Sequence, residues 1–216
     1  MIKTLFTAVL LSLSISSQAT VITFNDWQYN SNDHIDWLVT VDDESHEDYF
    51  TFNISIGEEN PSGDVLGFAF DSQADFNLAG DLVNYSAYEL SAYGTNSLKC
   101  GRGCNFNGAV RNSFDYIFRV GQQGSGNDYV SEFSFGLAKN GLTLDQSLFT
   151  RVGIRAQSVG SNCSSSNCGG SVKDYSETPD TVIPVPPSDD VIQVPEPATA
   201  LLFGLALFGF AARRQR

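Results

Sequence analysis

Tyr49-Phe50-Thr51-Phe52-Asn53-Ile54-Ser55-Ile56 puts Phe50, Phe52, Ile54 and Ile56 on one side of an extended chain and Thr51, Asn53 and Ser55 on the other. Successive side chains point to opposite faces of a strand, so this period of two predicts a β-strand with one apolar and one wet face. The pattern recurs outward along the chain. In Ser113–Val120, Phe114, Tyr116, Phe118 and Val120 alternate with Ser113, Asp115 and Arg119; Val130–Leu137 repeats it through Phe133, Phe135 and Leu137, and Arg151–Val159 through Val152, Ile154 and Ala156. Further strands are expected at Val21–Phe24, Ile35–Val41 and Val65–Phe70, with a weaker one near Tyr85–Leu90. Clusters of Gly, Asn, Asp and Ser separate these runs, and no amphipathic helical window exceeds a turn or two. Short strands at this spacing predict an all-β fold, an antiparallel β-sandwich with a phenylalanine-rich core. Asp42–Asp48 reads as a hairpin loop, and Leu142–Phe149 as a connection with one helical turn.

Both ends of the chain differ from this body. Met1-Ile2-Lys3, the apolar stretch Leu5–Ile15 and the small residues Ser17-Gln18-Ala19 read as a signal peptide, residues 1–19, cut by signal peptidase after Ala19. A single domain is expected over residues 20–175, long enough for one core. Residues 176–193 carry prolines at 179, 184, 186 and 187 and predict an extended Pro-rich linker. Beyond it, Val194-Pro195-Glu196-Pro197 precedes the uncharged run Ala198–Ala212 and then Arg213, Arg214, Gln215 and Arg216. A hydrophobic helix over 198–212 would rise only about 22 Å against a hydrocarbon core of about 30 Å, so it would be a short membrane anchor. The arginines should hold its end on the cytoplasmic side.

Pro195-Glu196-Pro197, the apolar run and the arginine cluster together resemble the PEP-CTERM sorting signal of Gram-negative bacterial exported proteins, here residues 194–216. That resemblance implies an exosortase as processing partner, transient anchoring in the inner membrane, and release to the cell surface or extracellular matrix. It marks Pro195, Glu196, Pro197, Arg213, Arg214 and Arg216 as the sorting residues. The body also resembles the β-rich ectodomains attached to such signals, through Ser62–Asp71, Gly124–Asp128 and Val152–Gly160. That second likeness implies a fold and no activity.

All 25 acidic residues but only eight basic ones lie in Thr20–Pro197, a net charge of −17. Such a field repels phosphate backbones and argues against a nucleic-acid partner. The four cysteines form two close pairs, Cys100 with Cys104 and Cys163 with Cys168. In an exported chain an even count favours disulfides, and the tight spacing favours two local staples. A four-thiolate zinc site is the rival, although neither pair has the common two-residue gap.

Enzymatic motifs are scarce. There is no Gly-x-Ser-x-Gly elbow, no Walker A sequence and no His-Glu-x-x-His, and the two histidines, His34 and His46, sit in expected loops. Glu89 and Glu132 are the carboxylates to test for a glycosidase, whose acid pair is made in space and not in sequence. No cofactor is expected; calcium is the best chemical alternative, at Asp42, Asp43, Glu44, Glu47 and Asp48 with Asp71, Asp75 and Asp81 as a looser second group, but neither follows an EF-hand or nonapeptide spacing and a solvated charge run is the ordinary explanation. Sugar faces stack on exposed rings, and Trp27, Tyr29, Trp37, Tyr85, Tyr88 and Tyr93 include the candidates, although core packing accounts for most of the aromatics in such a sandwich. The expectation is a non-enzymatic surface or matrix protein, structural or adhesive in biofilm or extracellular polysaccharide. A carbohydrate-binding, lectin-like module is the alternative, and a secreted glycosidase the third reading.

Overall fold

Phe50, Phe52 and Ile54 are buried while Asn53 between them is exposed, as the period of two requires. The computed structural model describes residues 19–28, 35–57, 62–84, 90–109, 112–121, 128–160, 169–177 and 181–185. In chain order the strands are β1 Ala19–Phe24, β2 Trp37–Asp42, β3 Tyr49–Ile56, β4 Ser62–Ser72, β5 Leu82–Asn84, β6 Leu90–Ser97, β7 Phe114–Val120, β8 Phe133–Ala138, β9 Phe149–Gly160, β10 Gly170–Ser176 and β11 Thr181–Val185. A single-turn helix, α1, spans Leu78–Asp81. A six-stranded sheet runs β11-β1-β2-β3-β8-β5 and a five-stranded sheet runs β10-β9-β4-β7-β6. The protein is an antiparallel β-sandwich.

The core lies between the sheets. Trp37, Val39, Phe50, Phe52, Phe135 and Leu137 face it from one side, and Phe68, Phe70, Phe118, Val152 and Ile154 from the other. Phe52 and Phe135 are register partners and stack at 4.6 Å, with Phe149 set edge-on to Phe52 at 5.0 Å. Stacked and edge-on rings suit the aromatic quadrupole, and each fully buried Phe contributes about 1.5–3 kcal/mol of transfer free energy. The phenylalanines thus bind the two layers together.

Several boundaries differ from the sequence reading for identifiable reasons. β8 begins at Phe133 and not at Val130, because Val130 serves the other sheet: its carbonyl accepts from Val65 N at 2.7 Å and its N–H donates to Asp64 Oδ1 at 3.1 Å. Leu142–Phe149 forms turns instead of a helical turn, with Asp145 Oδ1 accepting the N–H groups of Ser147 and Leu148. Leu82–Asn84 and Leu90–Ser97 are separate strands in different sheets, and residues 85–89 between them lie outside the described residues.

β10 carries no alternation signal, because its inward positions include Asp174 and Ser176, polar but buried, with only Val172 to mark a core face. The expected linker therefore begins inside the fold. Ser176 closes β10, and Thr181–Val185, expected as spacer, is the edge strand of the six-stranded sheet, a position that tolerates a proline such as Pro184. The chain divides into two units, Met1–Pro184 and Val185–Arg216. The expected signal peptide 1–19, except for Ala19, and the helix 198–212 lie outside the described residues.

Candidate functional site

The outer face of the five-stranded sheet carries a second core. Gly67 and Ala69 on β4 and Gly153 on β9 leave a trough there, and Ser97–Ala109 crosses it. Leu66, Ala69, Cys100, Cys104, Phe106, Phe114 and Ile117 make the buried cluster. A Cβ on Gly67 would lie 2.6 Å from the sulfurs of both Cys100 and Cys104, and one on Gly153 would lie 2.5 Å from Phe114 Cζ. Only glycine lets the bridge and the rings seat this close to the backbone. Cys100 and Cys104 form a disulfide with Cα atoms 5.0 Å apart. Cys163 and Cys168 lie outside the described residues.

Basic side chains clamp this segment to the sheet. Lys173 Nζ donates to Asn105 Oδ1 at 3.2 Å and to the Asn107 carbonyl at 2.6 Å, and an Arg119 nitrogen donates to the Arg102 carbonyl at 3.4 Å. Arg151 Nε donates to Asp71 Oδ2 at 2.6 Å and its second amine to the Ser113 carbonyl at 2.7 Å, while its guanidinium lies 4.2 Å from the Phe114 ring centre. Burial lowers the pKa values of Arg119, Arg155 and Lys173, and the neighbouring Arg155 charge lowers Lys173 further. Each of these cations holds a backbone carbonyl, and Arg151 holds the Asp71 carboxylate as well.

One carboxylate on the same face is held in an unusual state. Asp64 is nearly buried, and desolvation pushes its pKa above the ordinary value, helped by the charge of Asp128. Hydrogen bonds from Val130 N–H and from Gln157 Nε2, at 3.0 Å, and the charge of Arg119 oppose that rise. Beside it, Tyr129 donates to Ser62 Oγ at 3.1 Å, and burial raises the phenol's pKa. Nothing in the alternation pattern singles out Asp64, since an acid on an outward position reads as solvated.

The residues expected to carry chemistry are dispersed. In the Asp42–Asp48 loop, Asp42 Oδ1 accepts the N–H groups of Glu44 and Ser45 at 2.8 and 2.7 Å, and Lys139 Nζ donates to the carbonyls of Asp43 and His46. This is an aspartate-capped turn with a lysine pin. Asp71 is paired with Arg151, Asp81 accepts from Asn77 N–H at 2.7 Å, and Asp75 is exposed, so the second acidic group is not one site. Among the described residues no group of three or more His, Cys, Asp or Glu side chains is placed to hold a metal. His46 is exposed, accepts from Asp48 N–H and packs edge-on to Tyr49 at 4.7 Å; Glu132 is exposed ahead of β8.

Both tryptophans follow the core-packing reading and not the binding-platform one. Trp27 and Trp37 are buried in the core and so are not available to stack on sugars; Trp27 Nε1 donates to the Trp37 carbonyl and Trp37 Nε1 to Asp174 Oδ2. Tyr29, His34, Tyr85, Tyr88 and Glu89 lie outside the described residues, as does the side chain of Tyr93.

An open cleft of about 500 Å³ lies beside the start of β1, lined by Thr20, Leu144, Asp145, Gln146 and Ser147. Hydrogen bonds from the Ser147 hydroxyl and N–H lower the pKa of Asp145. Thr20 N donates to Asp43 Oδ1 at 2.9 Å, and Asp43 N–H returns a bond to the Thr20 carbonyl at 3.3 Å.

The sorting residues Pro195, Glu196, Pro197, Arg213, Arg214 and Arg216 also lie outside the described residues, so their assignment rests on sequence. No curated protein and no solved structure matches the chain. The family model of the PEP-CTERM protein-sorting motif matches residues 193–216, a span that contains all six of those residues. The chain therefore bears a PEP-CTERM protein-sorting motif, as an exported protein sorted by an exosortase through the membrane to the cell surface does.

Proposed function

We propose that the protein is a non-enzymatic component of the cell surface or extracellular matrix, structural or adhesive in a polysaccharide-rich setting. The observation that carries this reading is the sorting motif at residues 193–216, which addresses the domain outward. The sandwich suits such a place. Its outer face is stapled by a disulfide and packed as a second core, and local bridges of this kind persist in oxidising compartments. The strong negative charge of the body keeps it soluble among anionic polymers and favours association through shared cations.

Within the signal, Glu196, flanked in sequence by Pro195 and Pro197, is the recognition contact, and the uncharged 198–212 run is the part that engages the membrane. Replacing Pro195-Glu196-Pro197 by alanines should leave the domain folded and the protein retained in the inner membrane, as read by cell fractionation. Normal release of that variant would sink the sorting assignment. For the matrix role, deletion of the gene should weaken cell aggregation or biofilm cohesion, and purified protein should restore it. Unchanged cohesion, with saturable binding of the protein to isolated polysaccharide, would move the function to the carbohydrate-binding class.

A further inference from the structure

β1 begins at Ala19, the residue after which the signal-peptide pattern places cleavage. Thr20 is half-buried at the rim of the cleft, and its nitrogen lies 2.9 Å from Asp43 Oδ1. We propose that removal of residues 1–19 converts the Thr20 nitrogen into an α-ammonium that seats on the Asp43 carboxylate, so that export processing adds an ion pair to the fold. This inference rests on the export reading above.

The chemistry is hydrolysis of one amide. Signal peptidase breaks the Ala19–Thr20 C–N bond with one water, whose oxygen ends on the Ala19 carboxylate; the released nitrogen takes up protons and becomes –NH3+. An amide with one donor and no charge is replaced by an ammonium with three donors and a full charge. Hydrogen bonds between charged groups are about twice as strong as neutral ones.

Asp43 is prepared for this role. Its backbone is tied on both sides, by its N–H to the Thr20 carbonyl and by its carbonyl to Lys139 Nζ, which also holds the His46 carbonyl. Asp42 caps the turn that follows. The charged groups around Thr20 among the described residues are Asp43, Asp42 opposite Val21, and Asp145 across the cleft, with Lys139 behind Asp43. Carboxylates dominate this surround, and they favour the charged amine.

The sign of the pH dependence follows. A free α-amine titrates at about 7.7–8.0, and pairing with a carboxylate raises that value in the folded state. The stabilisation is complete below the unfolded value and is lost as pH rises through the folded one.

The test uses protein exported by cells carrying the full chain. N-terminal sequencing should begin at Thr20. In urea unfolding, Asp43→Asn, which keeps a hydrogen-bond acceptor but removes the charge, should raise the unfolding equilibrium constant about fivefold at pH 7. The gap from wild type should narrow by pH 9.5. Independently of any variant, NMR titration of the 13C-methylated α-amine of the wild-type protein should show a midpoint above the ordinary range. A start at another residue overturns the seat while leaving export intact; an uncut chain overturns the export reading as well. A Thr20 start with an ordinary amine midpoint and a pH-independent effect of Asp43→Asn reduces the contact to a neutral hydrogen bond, and the inference fails.

Discussion

Trp37 Nε1 donates to Asp174 Oδ2 at 3.2 Å, joining β2 of one sheet to β10 of the other between residues 137 apart in sequence. Both residues are buried, and the Trp27 indole completes the chain by donating to the Trp37 carbonyl. The neighbouring pair Gln28 and Tyr175 exchanges backbone hydrogen bonds at 2.7 and 3.2 Å, so the sandwich edge is sewn at two points. Asp174→Leu leaves a buried indole N–H without its acceptor and should cost about 1–3 kcal/mol. Asp174→Asn keeps an acceptor and should cost much less. Urea denaturation of the two variants checks the difference; equal losses would mean that the contact does not lock the sheets.

Gly67 lies beneath the Cys100–Cys104 bridge with no room for a methyl group. Gly67→Ala should therefore destabilise the protein by about 1–3 kcal/mol through overpacking. The loss should shrink in a Cys100→Ala/Cys104→Ala background, where the two sulfurs are gone, although the Cβ of residue 100 remains 3.2 Å away. A double-mutant cycle by thermal or chemical unfolding reads the coupling. Purely additive effects would contradict the seating of the bridge on this glycine.

Asp64 sets a pH dependence of unusual sign for a carboxylate. Burial raises its folded pKa above the unfolded value of 3.8, so its contribution is most favourable below that pH and is lost as pH rises through the folded value. Asp64→Asn keeps an acceptor for Val130 N–H, and the Gln157 amide can turn to meet the new donor. The variant should be at least as stable as wild type at pH 7, and its advantage should disappear below about pH 4. A variant less stable than wild type at neutral pH would show that the ionised carboxylate contributes net stability through Arg119.

Much of the sandwich was legible because its core strands alternate cleanly. β3 matches its expected limits, Tyr49–Ile56, and β7 starts one residue later than expected, at Phe114. What escaped was chemistry that mimics solvent exposure. β10 buries Asp174 and Ser176, which is sensible only once Trp37 is known to supply a donor from the other sheet. β11 hides in a proline-rich stretch because an edge strand tolerates proline where a central strand would not.

The second core was invisible for a related reason. The trough in its floor is made by Gly67, Ala69 and Gly153, which carry little hydrophobic signal, and its roof is a loop in which Leu98, Phe106 and the two cysteines follow no strand or helix period. The tryptophans were ambiguous in sequence: their ring size suits a binding platform as well as a core, and the tertiary partners decide for the core. The sorting signal needed no tertiary context. Its three elements are contiguous, and the motif match covers them at residues 193–216.

The central claim, an exported and doubly processed ectodomain, is tested most directly by the intact mass of native protein from fractionated cells, measured with and without reduction. The expected species is extracellular or surface-bound, begins at Thr20, ends near Pro195–Pro197, and is about 4 mass units lighter before reduction, for Cys100–Cys104 and Cys163–Cys168 both closed. A membrane-retained species that still ends at Arg216 would contradict it.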